Sequence, residues 1–288
     1  MKKNTVLLFI CLSLTLTIIL SIPLTLLTGR ANQQPSTLYA SESILDYQYE
    51  EAIESESLNP VVIAHQVTFT LEIDEDFESP EGAGRRPMVA LTFDDGPHIH
   101  TDYILDLLYE HNSRATFFVL GDRVEPWRDT IIRMHSQGNE VANHSWNHAN
   151  MGRLNQYNIQ NQIINTSAAI ESVVGYSVPI LRPPYGITTN GVRQAASELG
   201  YAIINWNVDT MDWRYRDPDR IYNVIMDRAK DGSVILMHDI HATTAEAMIR
   251  VIPSLVEAGF DLVTVSELLE YFHGELEAGR VYGIAFDD

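Results

Sequence analysis

Residues 88–97 read Met-Val-Ala-Leu-Thr-Phe-Asp-Asp-Gly-Pro, an apolar run that closes on two adjacent carboxylates. A short run of this composition is a buried strand, and Gly96-Pro97 ends it. Successive strand side chains point to opposite faces, so Asp94 and Asp95 can share one side only if the strand stops at them. Two acids at a strand terminus make either a charged site or an Asx-type cap on the next helix.

The same grammar repeats down the chain. Apolar strand runs at 88–93, 115–120, 140–142, 179–181, 202–206, 233–237 and 261–265 alternate with helical patterns at 103–111, 127–136, 155–174, 191–199, 218–230 and 244–258. Gly232 and Gly259 read as stop signals for the last two helices. Such alternation predicts an α/β fold with a parallel sheet. About seven strands are too few for a full eight-fold barrel, yet they are arranged like one.

Four further clusters follow strand runs. Asn143-His144-Ser145-Trp146-Asn147-His148 sets two imidazoles four positions apart, and on a helical turn that spacing puts both on one face. With Asp95 they make a two-His, one-carboxylate set, which suits zinc with an open position and equally suits non-haem Fe(II). Without a metal the pair is only surface chemistry. Then come Arg182-Pro183-Pro184-Tyr185-Gly186, Asp209-Thr210-Met211-Asp212-Trp213 and Leu236-Met237-His238-Asp239. Asp94, His144, Arg182, Asp209 and His238 all fall at strand ends, and barrel enzymes gather their catalytic groups at strand C-termini.

The five clusters, in this order, resemble the motif set of the polysaccharide deacetylases, the NodB homology domain of carbohydrate esterase family 4, over about residues 86–273. The resemblance implies a distorted or incomplete (β/α) barrel and metal-dependent deacetylation of N-acetylated sugars. Amide hydrolysis needs an activated water, a stabilised oxyanion and a proton for the leaving amine. Asp95, His144 and His148 are expected to hold a divalent metal, zinc first, with cobalt, manganese or iron also compatible. Asp94 is then free as general base, and His238 is expected as general acid. By resemblance Asp212 keeps His238 charged, Arg182 holds Asp94 by an ion pair, the Tyr185 backbone N–H helps stabilise the oxyanion, and Trp213 and Leu236 wall an acetyl-methyl pocket. Asp209 is open between a turn cap and a site acid. His98, His100, His111, His135, His241 and His273 have no partner spacing and read as loop or surface residues.

Beyond this core, 39 acidic against 19 basic side chains give a net charge of −20, which argues against a nucleic-acid partner. Lys2 and Lys3 precede an uncharged apolar stretch from Thr5 to Thr28, long enough to span a bilayer. Residues 1–31 are thus expected to be a signal anchor, or a signal peptide cleaved near Gly29-Arg30-Ala31, with the membrane as a partner and the remainder exported. Cys11 is the single cysteine, so the exported part has no disulfide. Residues 32–85 read as a linker carrying a small β element, from the alternation between Val61 and Ile73. Residues 86–273 form the main domain and 274–288 a C-terminal tail. Export makes a cell-envelope polysaccharide the expected substrate, peptidoglycan first, with chitooligosaccharide and acetylxylan as alternatives.

Three rival classes fit less well. A glycoside hydrolase needs two carboxylates about 5 to 9 Å apart across the scissile bond, whereas Asp94 and Asp95 are neighbours with two imidazoles ready to occupy one of them. An Fe(II) oxygenase shares the metal set but has no use for Asp94 or His238. A silent wall-binding module would not need the full set of clusters.

Overall fold

A computed structural model describes residues 85–283. The expected anchor, most of the linker with its β element, and the last five residues lie outside the described residues. Among the described residues no helix is long and apolar enough to cross a membrane.

In chain order the elements are β1 (Met88–Asp94), α1 (Thr101–Glu110), β2 (Thr116–Val119), α2 (Gly121–Val124), α3 (Arg128–Ser136), β3 (Glu140–Asn143), α4 (Gln156–Val174), β4 (Ile180–Leu181) and α5 (Asn190–Leu199). They continue with β5 (Ala202–Ile204), β6 (Val208–Asp209), α6 (Asp212–Tyr215), α7 (Pro218–Arg228), β7 (Ser233–His238), α8 (Ala242–Glu257), β8 (Asp261–Leu262), α9 (Val265–His273) and β9 (Val281–Tyr282). The strands form one sheet in the order β6-β7-β1-β2-β3-β4-β5-β9, with β8 added on β1, and every pairing is parallel. No pairing joins β6 to β9, so this is the incomplete barrel that the alternation and the resemblance led one to expect.

Among the described residues the strands number nine rather than about seven. The extra two, β6 and β9, are two residues long, too short for any period to show, and β9 comes from the stretch read as a C-terminal tail. The expected strand 261–265 stops at Leu262 because Thr264 starts a helix. Its hydroxyl accepts from the Glu267 N–H at 3.3 Å while the Glu267 carboxylate accepts from the Thr264 N–H at 2.9 Å, a reciprocal capping box. α7 ends at Arg228, and Gly232 instead turns the chain into β7.

Strand alternation sorts the core into two layers. Val89, Leu91 and Phe93 of β1, Phe117 and Val119 of β2, and Ile235 and Met237 of β7 face outward onto helices, meeting Ile104, Ile131, Ile221 and Met248. Ala90, Phe118, Ala142, Ile180, Ile204 and Val234 face inward onto Val265, Leu268 and Leu269 of α9. Each fully buried side chain of this size stabilises the fold by about 1.5 to 3 kcal/mol, so even two-residue strands are held once both faces are covered. The inward parity then reaches the strand ends. Two or four residues beyond the inward apolar positions stand Asp94 after Ala90, His144 after Ala142, Arg182 after Ile180, and His238 after Val234. One end of the barrel therefore receives charged side chains from four strands.

Candidate active site

Asp94 is the last residue of β1, and Asp95 turns left-handed immediately after it, with φ 73°. That turn brings both carboxylates to the same side, as two adjacent strand residues could not be. Asp94 is 3% exposed and its Oδ1 accepts from Arg182 Nη1 at 2.7 Å. Its Oδ2 lies 3.7 Å from His144 Nε2 and faces the site. Asp95 Oδ1 lies 3.4 Å from His144 Nε2 and 3.3 Å from His148 Nε2.

The two histidines meet, but not by the expected route. Residues 144–148 are a loop with left-handed Ser145 (φ 70°) and His148 (φ 58°) rather than a helical turn, and these two reversals, not helical periodicity, bring the rings to 5.3 Å. His148 also packs edge-on against Tyr185, with centroids 4.6 Å apart.

These three residues fit a divalent cation. Their ligand atoms lie within 4.8 Å of one another. His144 Nδ1 donates to the Arg182 carbonyl at 2.7 Å, which fixes the tautomer and leaves the Nε2 lone pair on the Asp95 side. Asp95 Oδ1 is buried and has no hydrogen-bond partner among the described residues, an acceptor left open to a cation. Burial favours neutral Asp95, yet the two imidazoles outweigh it and hold the acid well below the usual carboxylate range. Burial first, and the neighbouring His144 after it, keep His148 below its ordinary value although Asp95 pulls the other way. An ionised carboxylate and neutral imidazole are the protonation states a metal ligand needs.

Arg182 is fully buried and donates four hydrogen bonds. Nε donates to the Ile204 carbonyl at 3.1 Å, Nη1 to Thr92 Oγ1 at 2.7 Å as well as to Asp94, and Nη2 to the Asn205 carbonyl at 3.1 Å. Its guanidinium lies over the Phe118 ring at 4.0 Å and near Trp206 at 5.7 Å. The arrangement fixes Asp94 in position.

On the neighbouring strand β7, where His238 pairs in register with Asp94, His238 Nδ1 meets Asp212 Oδ1 at 2.8 Å. Asp212 is fully buried, and its carboxylate also accepts from the His238 N–H at 2.8 Å, Thr244 Oγ1 at 2.7 Å and the Trp213 N–H at 2.8 Å. Burial opposes charge on His238, but the Asp212 hydrogen bond and charge, helped by Asp94 and Asp95, overcome it and push the imidazole up to about 9. Asp209 resolves as a cap, with Oδ1 accepting from the Met211 N–H at 2.8 Å, so the tuning of His238 falls to Asp212. Tyr185 (φ 61°) and Trp213 stand at the surface, 64% and 47% exposed, while Leu236 is buried.

Two residues were missed by sequence reasoning. Asp239 is fully buried; one oxygen accepts from Thr101 Oγ1, the other has no partner, and a Cβ placed on Gly96 would overlap the carboxylate. Its burial, foremost, pushes it up to about 7. Its only signal was its place directly after His238. His241, read as a surface residue, is half-buried with its ring 5.7 Å from His238.

The chain has relatives of known kind. The family model described as polysaccharide deacetylase matches residues 81–204. Peptidoglycan-N-acetylmuramic acid deacetylase PdaC of Bacillus subtilis is 44% identical over 184 residues, which cover 64% of this chain and 39% of that protein. This chain thus spans about two-fifths of that relative's length. A peptidoglycan-N-acetylglucosamine deacetylase of Bacillus cereus is 35% identical over 194 residues, covering 66% of this chain and 70% of its own. The solved structure of PdaC superposes with a TM-score of 0.62 at 42% identity, covering 64% of this chain and 91% of that one.

Proposed function

Because the chain belongs to the polysaccharide deacetylase family, we propose that it hydrolyses the acetamido groups of N-acetylated sugars in a cell-envelope polysaccharide, with peptidoglycan as substrate. The observation that carries this reading is the convergence of Asp95, His144 and His148 within 4.8 Å, beside an Arg-paired Asp94 and, on the next strand, an Asp-held His238. Both named relatives act on peptidoglycan sugars.

Asp95, His144 and His148 would hold a divalent ion, zinc ahead of cobalt, manganese or iron, and when bound it supplies a Lewis acid that acidifies water and polarises the acetyl carbonyl. Asp94 takes the proton from the attacking water at Oδ2, the oxygen that Arg182 leaves free. Arg182 holds that carboxylate in place through its other oxygen. His238 enters the reaction protonated. With Nδ1 committed to Asp212, it hands the Nε2 proton to the nitrogen as the C–N bond breaks, releasing acetate and leaving the amine on the sugar. The Tyr185 N–H supports the developing oxyanion, a role suited to its left-handed turn at the mouth. Trp213 and Leu236 wall the acetyl methyl.

Residues 1–31 serve in this proposal as a signal anchor or signal peptide that places the domain outside the membrane, and 86–273 as the deacetylase domain. Chitooligosaccharide and acetylxylan are the alternative substrates. Acetate released by the full chain from peptidoglycan, chitooligomers and acetylxylan in parallel decides among them: release only from acetylxylan would overturn the amide reading.

A further inference from the structure

The rim of the mouth on the His238 side carries three arginines in an acidic protein. Residues 213–220 read Trp-Arg-Tyr-Arg-Asp-Pro-Asp-Arg in a chain of net charge −20. Among the described residues, none of Arg214, Arg216 and Arg220 forms an ion pair with a carboxylate. Arg214 and Arg220 lie against the Tyr215 ring, 5.3 and 3.9 Å from its centre.

Arg216 is placed differently. It closes α6 in the left-handed region, φ 50°, which a non-glycine residue adopts at a conformational cost that clusters at functional positions. From there Nη1 reaches back to the Asp212 carbonyl at 3.3 Å, above the residue that holds His238. The His241 N–H bonds the His238 carbonyl at 3.3 Å, and its ring stands 5.7 Å from that of His238. Burial, and then the charge of Arg216, push His241 down to about 4, so at neutral pH it is an uncharged N–H donor beside a guanidinium. A neutral donor and a cation that, among the described residues, has no carboxylate within ion-pair distance thus stand one side chain beyond the expected general acid.

We infer that Arg216, with His241 beside it, recognises a carboxylate carried by the sugar undergoing deacetylation, and so favours N-acetylmuramic acid over N-acetylglucosamine. This rests on the deacetylase reading above. The lactyl ether of muramic acid sits on the ring carbon next to the one bearing the acetamido group. When the acetamido group faces Asp94 and His238, its carboxylate therefore falls within a side chain's length of that centre. A neutral sugar presents a hydroxyl there, which gains far less from a guanidinium than a carboxylate does.

The bland alternative is that Arg216 only satisfies the last carbonyls of α6. The two are separated with the full chain and its Arg216→Gln and Arg216→Lys variants, acting on a stem-free glycan strand with free lactyl carboxyls and on a chitooligomer. The inference expects the ratio of kcat/KM, muramic acid over neutral sugar, to fall about ten- to a hundredfold in Arg216→Gln. It expects Arg216→Lys to recover part of that, and the wild-type preference to fade with added salt. Equilibrium binding of the stem-free strand before and after its carboxyls are amidated reads the same preference without turnover. An unchanged ratio and unchanged binding preference, with both sugars weakened alike, overturn the inference and leave the deacetylase reading standing. Binding preference lost in Arg216→Gln with no acetate from any glycan supports the inference and sinks that reading. If a strand whose lactyl groups are amide-linked to peptide loses as much as the stem-free strand, the carboxylate recognised is the peptide's and the lactyl assignment fails.

Discussion

Replacing Asp212 by Asn tests how the proposed general acid is kept charged. The carboxylate takes four hydrogen bonds, two of them from His238 at 2.8 Å each. The imidazole stands at about 9 instead of its ordinary 6.5, even though burial alone would lower it. That interval corresponds to about 3 kcal/mol, at roughly 1.4 kcal/mol per pH unit. An amide keeps the size but not the charge, and burial, now unopposed by Asp212, takes His238 towards or below 6.5. The acid works only while protonated, so the basic limb of kcat/KM against pH should move to lower pH by about 2 units or more. A cation at Asp95 lowers the limb in both proteins, so the quantity to read is the difference between them. Folding stability follows the same sign. The His238 contribution is fully present below 6.5 and lost as pH rises through about 9, so the wild type should lose stability across that window and the variant should not. The amide NH2 will also meet donors, costing about 1 to 3 kcal/mol at any pH; a limb that stays put while the protein merely destabilises would refute the reasoning.

Four other substitutions follow from the geometry. Asp94→Asn should keep metal occupancy and lose about 10² to 10⁴ in rate, whereas Asp95→Asn should lose the metal, both read by elemental analysis beside acetate release; metal lost from Asp94→Asn instead would exchange the roles of the two carboxylates. Arg182→Met leaves the Asp94 charge buried and unpaired, and urea denaturation should show a loss of about 3 to 5 kcal/mol; a loss under about 1 kcal/mol would mean the ion pair is solvated. Gly96→Ala drives a Cβ into the buried Asp239 carboxylate. It should cost about 1 to 3 kcal/mol in thermal denaturation and displace Asp95 from the metal set; unaltered stability and metal content would count against that packing.

Much of this was legible because short strands buried on both faces leave apolar runs, and because inward parity carries Asp94, His144, Arg182 and His238 to one end. What escaped has physical reasons. The 261–265 run is apolar enough for a strand, and only the Thr264–Glu267 pair, visible in the sequence but local, marks the start of α9. His144 and His148 are joined by left-handed residues that spacing cannot reveal. The acid Asp239 lies 138 positions from Thr101, and Arg182 lies 90 from Thr92; such partners are set by the order of strands in the sheet rather than by neighbours in the chain. Asp209 and Asp212 look alike in one motif, and only burial and the direction of their hydrogen bonds separate a cap from the carboxylate that holds His238.

The most direct test of metal-dependent deacetylation is acetate released from peptidoglycan by the full chain before chelation, after complete removal of divalent ions, and after zinc is returned, with metal content measured at each stage. The account predicts release that disappears with the ion, returns with it, and does neither in His144→Ala, which should retain no stoichiometric metal. Full acetate release from protein shown to be metal-free would contradict it.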